Sequence, residues 1–323
     1  MIYKSILEKL GKTPIVKIES KDLNNISLYA KLECYNPTGS VKDRAANYII
    51  KKALKLKEIN KDTTLIESSS GNFGIALSSY CKKNGLKFYC VVDPHICPVN
   101  EYLIETLSTK MIKVTEPDEN GGYLLNRIKK VKELLKEIPN SYWVNQYGNP
   151  YNAEAYKETL GKEICNELDR IDYVFLGVSS GGTITGVSQK IKEVFPKAKI
   201  VAVDIVGSVI FGGKPKKRYI PGIGSSMVPS ILKDAKIDEV FTVDEVSTTK
   251  MCHELLKEHN VFVGGSSGSV FSAVKKYFAD KKFKKKPNVV VIFADKGDRY
   301  INTVYNKGWC DNFYHNNVQM KKL

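Results

Sequence analysis

The sequence has little of what marks membrane, secreted or metal-binding proteins. No apolar run approaches the length of a transmembrane helix, and the first eight residues lack the apolar stretch and cleavage site of a signal peptide. The seven cysteines include no C-x-x-C pair, and with four histidines they form no cluster with zinc spacing. We therefore expect a cytoplasmic protein with reduced thiols, no membrane segment and no metal site.

Acidic residues are outnumbered by basic ones, so the formal net charge is +15. Basic runs occur at residues 214–218 and 281–286, but each adjoins a turn, and no aromatic-basic RNA motif accompanies them. Most of the basic residues are lysines dispersed along the chain. We therefore expect no nucleic-acid partner, and a positive field that attracts small anionic substrates.

Apolar runs and amphipathic stretches alternate along the chain as far as about residue 294. Short buried strands are predicted at residues 28–33, 64–67, 87–92, 111–114, 173–178, 199–203, 239–243 and 288–294. Amphipathic helices are predicted at residues 45–57, 72–83, 121–136, 153–168, 183–194 and 246–259, with a further helix through Phe278. This alternation predicts an α/β protein with doubly wound parallel sheets.

The 323 residues are enough for two domains. The punctuation predicts a smaller, substrate-binding domain at residues 39–147. Residues 1–38 and 148–323 would together form a larger, cofactor-binding domain. A ligand would sit in the cleft between the two sheets, beyond the carboxyl ends of their strands.

One lysine stands where a turn leads into a predicted helix. In the run 36–44, a proline and a glycine mark the turn, and Lys42 follows directly. Ser40 would cap the helix, and the nearby positive end of the helix dipole would favour the neutral form of the amine. A neutral amine is what a Schiff base with an aldehyde requires, although a lysine at a helix start is more often simply solvated.

Three loops rich in glycine and serine occur at the starts of predicted helices. They cover residues 67–74, 178–183 and 264–269. Glycines let the backbone approach a ligand, serines donate hydrogen bonds, and a helix N-terminus favours an anion. Any one of these loops alone could be ordinary helix capping, but three loops together with the Lys42 segment are strong evidence for a ligand site that favours an anion.

These features together resemble the fold-type II pyridoxal-phosphate (PLP) enzymes of the cysteine synthase and cystathionine β-synthase group. The resemblance covers nearly the whole chain and includes residues 11–14, 36–44, 145–147, 221–224 and 295–300, as well as the three loops. It implies two doubly wound sheet domains in the manner of the tryptophan synthase β-subunit, PLP as the cofactor, and a homodimer.

The resemblance also implies roles for individual residues. Lys42 would form the Schiff base with PLP and later move the α-proton of the substrate. Asn72 would bind the ring oxygen of the cofactor, and Ser266 would face its pyridine nitrogen. The phosphate would be held by Ser179, Ser180, Gly181, Gly182 and Thr183. The α-carboxylate of the substrate would be held by Ser69, Ser70 and Gln146.

The implied pairing of Ser266 with the pyridine nitrogen bears on the reaction type. A neutral hydroxyl leaves the ring a weaker electron sink than an aspartate partner would. Racemisation and transamination are then disfavoured. The resemblance therefore implies β-replacement, in which a substituent on the β-carbon of a serine derivative leaves and a nucleophile takes its place.

Within the family, residues 91–94, 116–124, 142–147 and 207–212 differ from the usual sulfide-using enzymes. They resemble a branch that joins O-phospho-L-serine to L-glutamate. Such substrates need cations and polar groups, for which Arg127, Tyr147 and Ser180 are the candidates. Arg127 could instead lie on a helix surface, and Tyr147 could be a core aromatic residue.

Three alternatives stay open at this point. The first is sulfur chemistry, either cysteine synthesis from O-acetyl-L-serine and sulfide or a cysteine-consuming reaction that releases sulfide. The second is a catalytically silent relative that acts as a binding protein, and the third, which the dispersed charge disfavours, is a basic nucleic-acid-binding protein. The presence of Lys42 argues against the silent relative, because loss of this lysine is the simplest route to silence.

Overall fold

The computed structural model describes residues 2–118 and 122–319, with side chains described as far as His315. The strands are β1 (Ile15–Ile18), β2 (Ser27–Leu32), β3 (Thr64–Ser68), β4 (Lys87–Val92), β5 (Lys110–Lys113), β6 (Ser141–Trp143), β7 (Tyr173–Gly177), β8 (Lys199–Ile205), β9 (Glu239–Val243) and β10 (Asn288–Phe293). The α-helices are α1 (Lys42–Lys55), α2 (Asn72–Lys83), α3 (Pro98–Leu107), α4 (Leu124–Glu137), α5 (Pro150–Tyr156), α6 (Lys162–Glu167), α7 (Gly182–Val194), α8 (Glu245–His259), α9 (Gly265–Phe278) and α10 (Lys307–Gln319).

The strands form two sheets. The larger sheet has the order β1-β2-β10-β7-β8-β9, and the smaller has the order β5-β4-β3-β6. Neighbouring strands are parallel except for the pair β1 and β2. Because the strand interiors are mostly buried on both faces, their sequences are continuous apolar runs rather than alternating ones. The predicted α/β class with two sheets is confirmed.

The larger sheet takes its strands from both ends of the chain, whereas the smaller sheet takes its strands from residues 64–143. A single apolar cluster nevertheless runs across both sheets, since it contains Val41 before α1, Leu65 of β3 and Val174 of β7. The strand assignment fits the predicted domain limits at residues 38 and 147. The division into two domains itself stays an interpretation.

A buried ion cluster connects the start of the chain to α1 and α6. The guanidinium of Arg44 lies 2.6 Å from a carboxylate oxygen of Glu33 and 2.7 Å from one of Glu163. Arg44 and Glu33 are almost wholly buried. The backbone N–H of Lys12 also donates to Glu163. The cluster therefore accounts for part of the motif at residues 11–14, which folds onto it.

Several predicted elements need correction. The single helix predicted at residues 153–168 is instead a succession of α5, a π-helical turn at Lys157–Gly161, and α6. Apolar spacing does not reveal such a turn, since it adds one residue without moving the buried face to the surface. The helix predicted from Gly121 begins at Leu124, and Gly121 itself lies outside the described residues. Strands β1 and β6 and helices α3 and α10 were not predicted.

Within the described part of the chain, none of the helices combines the length and the hydropathy that crossing a membrane requires.

Candidate active site

The carboxyl ends of strands from both sheets surround one cavity of about 390 Å³. The loops after β7 and β10 and the start of α9 reach it from the larger sheet, and the loops after β3, β4 and β6 reach it from the smaller one. The predicted site residues that line it are Lys42, Ser69, Ser70, Asn72, Arg127, Gln146, Tyr147, Ser179, Ser180, Gly181, Thr183 and Ser266. Gly182 lies next to this lining, as the first residue of α7. The structure thus brings the predicted residues together, and their individual roles stay predictions.

Lys42 is the first residue of α1, and its Nζ lies 3.4 Å from Ser180 Oγ. The predicted cap needs correction in detail, because Val41 occupies the cap position. The Ser40 hydroxyl still accepts the backbone N–H of Lys42, at 3.2 Å. The segment is held in place by the Val41 N–H, which donates to the Ala294 carbonyl at the end of β10.

The amine of Lys42 is easier to deprotonate than an ordinary lysine. Removal from water lowers its pKa from 10.5 to about 8, against the opposing charge of the Asp295 carboxylate. From the sequence, the helix dipole was expected to favour the neutral amine. In the structure, desolvation is the main cause of the lowered pKa. A substantial fraction of neutral amine is therefore present near pH 8, and the neutral form is the nucleophile.

The loop at residues 179–183 presents the start of α7 to the cavity. Gly181 adopts φ +84°, a left-handed conformation that side chains rarely take. A Cβ on Gly182 would lie 2.4 Å from Asn152 Oδ1, so a larger residue would push the helix start away. The N–H groups in the first turn of a helix have no acceptor within the helix, and they favour an anion such as a phosphate.

Asn72 is held by a partly buried polar network in the cavity wall. Its Nδ2 donates to Asp295 Oδ2 at 2.8 Å, and the guanidinium of Arg299 donates to its Oδ1. The Tyr300 hydroxyl donates to the same Asp295 oxygen, also at 2.8 Å. Asp295 Oδ1 is buried without a hydrogen-bond partner among the described residues. Burial raises the pKa of Asp295. Ser266, at the start of α9, is buried in the cavity wall.

The loop at residues 68–73, called the substrate loop after its predicted role, is connected by hydrogen bonds to the rest of the smaller sheet. The Ser69 hydroxyl accepts the N–H of Gly74 at 3.0 Å and so helps to fix the start of α2. Gln146 is buried, and its Nε2 donates to the Ser68 carbonyl at 3.1 Å. Beneath the loop, burial raises the pKa of Glu67 to about 7, although the carboxylate accepts the N–H groups of Ser68 and Gln146.

Arg127 reaches the substrate loop from α4. Its Nη1 donates to Ser70 Oγ at 2.9 Å and lies 3.1 Å from Asp93 Oδ2. The side chain is 13% exposed, so the alternative of a solvated surface arginine is wrong. Tyr147 faces the same cavity, and burial raises the pKa of its hydroxyl.

Two cavity carboxylates were not singled out from the sequence as site residues. Asp93 directly follows β4, and Asp295 follows β10 after one residue. A signal was available, because polar residues at the carboxyl ends of parallel strands face the ligand crevice. Among the described residues, no group of three or more metal-ligating side chains comes together.

The cavity, its lysine and the helix start that lines it would suit a phosphate-bearing aldehyde. A family model described as "Pyridoxal-phosphate dependent enzyme" matches residues 6–295. The chain therefore belongs to this family of PLP-dependent enzymes, and PLP is its cofactor.

Solved structures place the chain among the cysteine synthase and cystathionine β-synthase-like members. An O-acetylserine-dependent cystathionine β-synthase from Helicobacter pylori shares 35% identity, with a TM-score of 0.88, 95% of this chain and 100% of that chain being covered. A hydrogen sulfide-producing enzyme from Fusobacterium nucleatum shares 30% identity, with a TM-score of 0.86; the match covers 93% of this chain and 100% of that one. An O-ureido-L-serine synthase shares 26% identity, with a TM-score of 0.86 and coverage of 98% and 100%. The chain is thus a PLP-dependent β-replacement enzyme.

The residues of the cavity fit this cofactor. Lys42 Nζ would hold it covalently, the start of α7 would take its phosphate, and Asn72 and Ser266 would contact its ring. Bound PLP supplies an electron sink for the α-carbon of an amino acid. Lys42, the group with the lowered pKa beside Ser180, would take the α-proton from the substrate and return it. The substrate loop would orient the α-carboxylate.

Covalent uptake of PLP by the cofactor-free protein is expected to follow the pKa of Lys42. The neutral fraction of an amine increases as the pH rises through its pKa, so the attachment rate should climb toward about pH 8 and level off above it. Asp295→Asn should move the midpoint to lower pH, because it removes the charge that raises the pKa. Borohydride reduction followed by mass spectrometry measures the attachment. A midpoint near the usual 10.5 would contradict the desolvation of Lys42.

Proposed function

We propose that the protein joins O-phospho-L-serine to L-glutamate, giving N-(2-amino-2-carboxyethyl)-L-glutamate and phosphate. The bond from the β-carbon of the serine to the phosphate oxygen breaks, and a bond from this carbon to the glutamate nitrogen forms. The glutamate nitrogen loses a proton, which the departing phosphate takes up, and the α-proton that Lys42 removes is returned to the α-carbon. No redox partner is needed.

The observation that carries this proposal is the guanidinium of Arg127 in the cavity wall. It contacts Ser70 on the substrate loop, where the serine derivative would lie. A guanidinium at this place suits a phosphate or a carboxylate, because its planar N–H groups match their oxygens. The excess of basic residues over the whole chain would also attract both anionic substrates.

The sequence motifs at residues 91–94, 116–124, 142–147 and 207–212 support the same reaction. Residues 119–121 of the second motif lie outside the described residues. These motifs resemble N-(2-amino-2-carboxyethyl)-L-glutamate synthase, which starts 2,3-diaminopropionate synthesis for the siderophore staphyloferrin B. We propose accordingly a cytoplasmic homodimer that acts in siderophore biosynthesis.

A second candidate is β-replacement on O-acetyl-L-serine with a sulfur nucleophile. The 35%-identical relative from Helicobacter pylori is named as O-acetylserine-dependent, and the Fusobacterium nucleatum relative is named for producing hydrogen sulfide. Cysteine synthesis and cysteine-consuming release of sulfide both belong to this candidate.

Product analysis separates the two candidates. The PLP-loaded protein is mixed with O-phospho-L-serine, O-acetyl-L-serine or L-cysteine, each with L-glutamate or sulfide, and the products are identified by mass spectrometry. We expect the glutamate adduct and free phosphate from O-phospho-L-serine, with little product from the other pairs. Cysteine from O-acetyl-L-serine, or sulfide from L-cysteine, without any glutamate adduct would overturn the proposal. Protein that lacks the Lys42 side chain serves as the blank.

A further inference from the structure

Asp93 joins three parts of the substrate side of the cavity. It follows β4, is 8% exposed, and lines the cavity. Its Oδ1 accepts the backbone N–H of His95 at 2.9 Å. Its Oδ2 accepts the Ser70 hydroxyl at 2.7 Å and pairs with Arg127 Nη1 at 3.1 Å. The carboxylate therefore bridges the substrate loop and α4.

The Ser70 hydroxyl has no hydrogen-bonding capacity left over in this arrangement. It donates its one proton to Asp93 and accepts both the backbone N–H of Asp93, at 3.0 Å, and Arg127 Nη1, at 2.9 Å. Its geometry is therefore set by Asp93 and Arg127 together. Asn100 fixes the same residue from the other side, since its Nδ2 donates to the Ser70 carbonyl at 3.1 Å.

Among the described residues, the hydrogen bond and ion pair of the Arg127 side chain are both made by one nitrogen of its guanidinium. Nη1 carries the two contacts to Ser70 and Asp93. Nε is buried without an acceptor among the described residues. A long side chain with many rotamers keeps one orientation only when its head group is held, and Asp93 supplies the charged contact that holds it.

We propose that Asp93 is the positioning residue for Arg127. The carboxylate holds the guanidinium against Ser70 on the substrate loop, in the orientation in which it meets the leaving group of the activated serine. Asp93 itself does not touch the reacting atoms, so its effect on substrate recognition passes through Arg127. This inference rests on the proposed function, in which Arg127 recognises the leaving group.

A double-mutant cycle with the full-length, PLP-loaded protein tests this inference. Asp93→Asn, Arg127→Met and the double variant are compared with the unaltered protein, with kcat and KM measured for O-phospho-L-serine and for O-acetyl-L-serine. A lost hydrogen bond to a charged group corresponds to roughly a ten- to hundredfold change. We therefore expect Arg127→Met to raise KM for O-phospho-L-serine by about that factor, and Asp93→Asn by about tenfold.

The decisive comparison is between the double variant and Arg127→Met alone. If Asp93 acts through Arg127, removing its charge has no further effect once the guanidinium is gone, so the two variants should have the same KM within about twofold. Equal kcat values across the cycle, within about threefold, would fit a role in recognition rather than in chemistry. Additive losses in the double variant, or a loss confined to kcat, would overturn the inference.

Two controls separate a specific effect at the cavity from a general loss of charge or of folding. Asp238→Asn removes a carboxylate that pairs with Lys192 at 2.8 Å and does not line the cavity, so its KM should match that of the unaltered protein. Thermal melting and bound-cofactor absorbance identify any variant that has failed to fold. If Asp93→Asn fails in this way, Asp93→Ser, which also removes the charge, replaces it in the cycle, with the same expected rise in KM.

Failure of the proposed function would look different from failure of this inference. If the unaltered protein accepts only O-acetyl-L-serine, the proposed reaction of O-phospho-L-serine is wrong, and the double-mutant cycle is measured with O-acetyl-L-serine instead. Non-additive KM changes with that substrate would still support positioning of Arg127 by Asp93. Additive changes, or none, with whichever serine derivative the protein uses would overturn it.

Discussion

Replacing Lys42 with alanine is expected to lower the rate of β-replacement by at least about a thousandfold, because the group that attaches the cofactor and moves the α-proton is removed. The amine lies in the cavity beside Ser180, with a pKa lowered to about 8. Borohydride reduction should leave no covalently bound cofactor on the variant, and product formation should fall to the level of a reaction without protein.

The matched control is Lys51→Ala, which removes an exposed lysine from the same helix, α1. It should keep full activity and full cofactor attachment. Retained covalent cofactor in Lys42→Ala would show that another amine forms the attachment and that the catalytic role assigned to Lys42 is wrong.

Replacing Arg44 with methionine is expected to destabilise the fold by about 3–5 kcal/mol, the usual cost of breaking a buried ion pair from one side. Arg44 contacts Glu33 and Glu163 at 2.6 and 2.7 Å, and without it the Glu33 carboxylate is buried with no arginine to balance it. Urea unfolding followed by circular dichroism measures the change. A loss under about 1 kcal/mol would mean that the pair behaves as a solvated one.

The exposed pair between Lys17 and Glu19 provides the control for this variant, and Lys17→Met should leave the urea midpoint nearly unchanged.

The pH dependence of the free energy of unfolding gives a second test of the ion cluster. Burial alone would raise the pKa of Glu163, but the hydrogen bonds and charge of Arg44 outweigh it and lower the pKa from 4.5 to about 2. Because the pKa of Glu163 is lower in the folded state, Glu163 stabilises the fold fully at pH values above 4.5, the pKa in the unfolded chain. This stabilisation is lost as the pH falls from there toward 2. The difference in the free energy of unfolding between Arg44→Met and the unaltered protein should therefore become smaller in acid.

Much of the fold could be predicted because the chain repeats one local pattern. Helix α2 and strands β4 and β9 have the predicted bounds, since each is a clear apolar period between turn residues. The elements that were missed give weaker signals. Strand β6 has three half-buried residues, too few to show a period, and β1 is a four-residue edge strand that pairs only with β2. Their pairing depends on the rest of the sheet.

The site was predictable where one segment carries the chemistry, as in the Lys42 run and the loop at residues 179–183. The contacts between residues far apart in the sequence were not predictable. Asp93 is 23 residues and Arg127 is 57 residues from Ser70, and no local pattern indicates that the three meet. Whether Arg127 faces solvent or the cavity depends on how α4 rotates against its sheet, and this rotation follows from tertiary packing.

The division of the cavity between the two sheets has a consequence for how such enzymes diverge. The loop after β7 and the start of α9, which would hold the cofactor, are carried by the larger sheet, whereas Ser70, Asp93 and Gln146 are carried by the smaller one. Mutations at these three residues, unlike mutations at Asn72, are therefore expected to change the chemistry of the bound amino acid while cofactor retention persists. Relatives 26–35% identical have TM-scores of 0.86–0.88 yet are named for different products. In laboratory evolution, a library confined to Ser70, Asp93 and Gln146 is expected to find new substrates and to keep the bound cofactor.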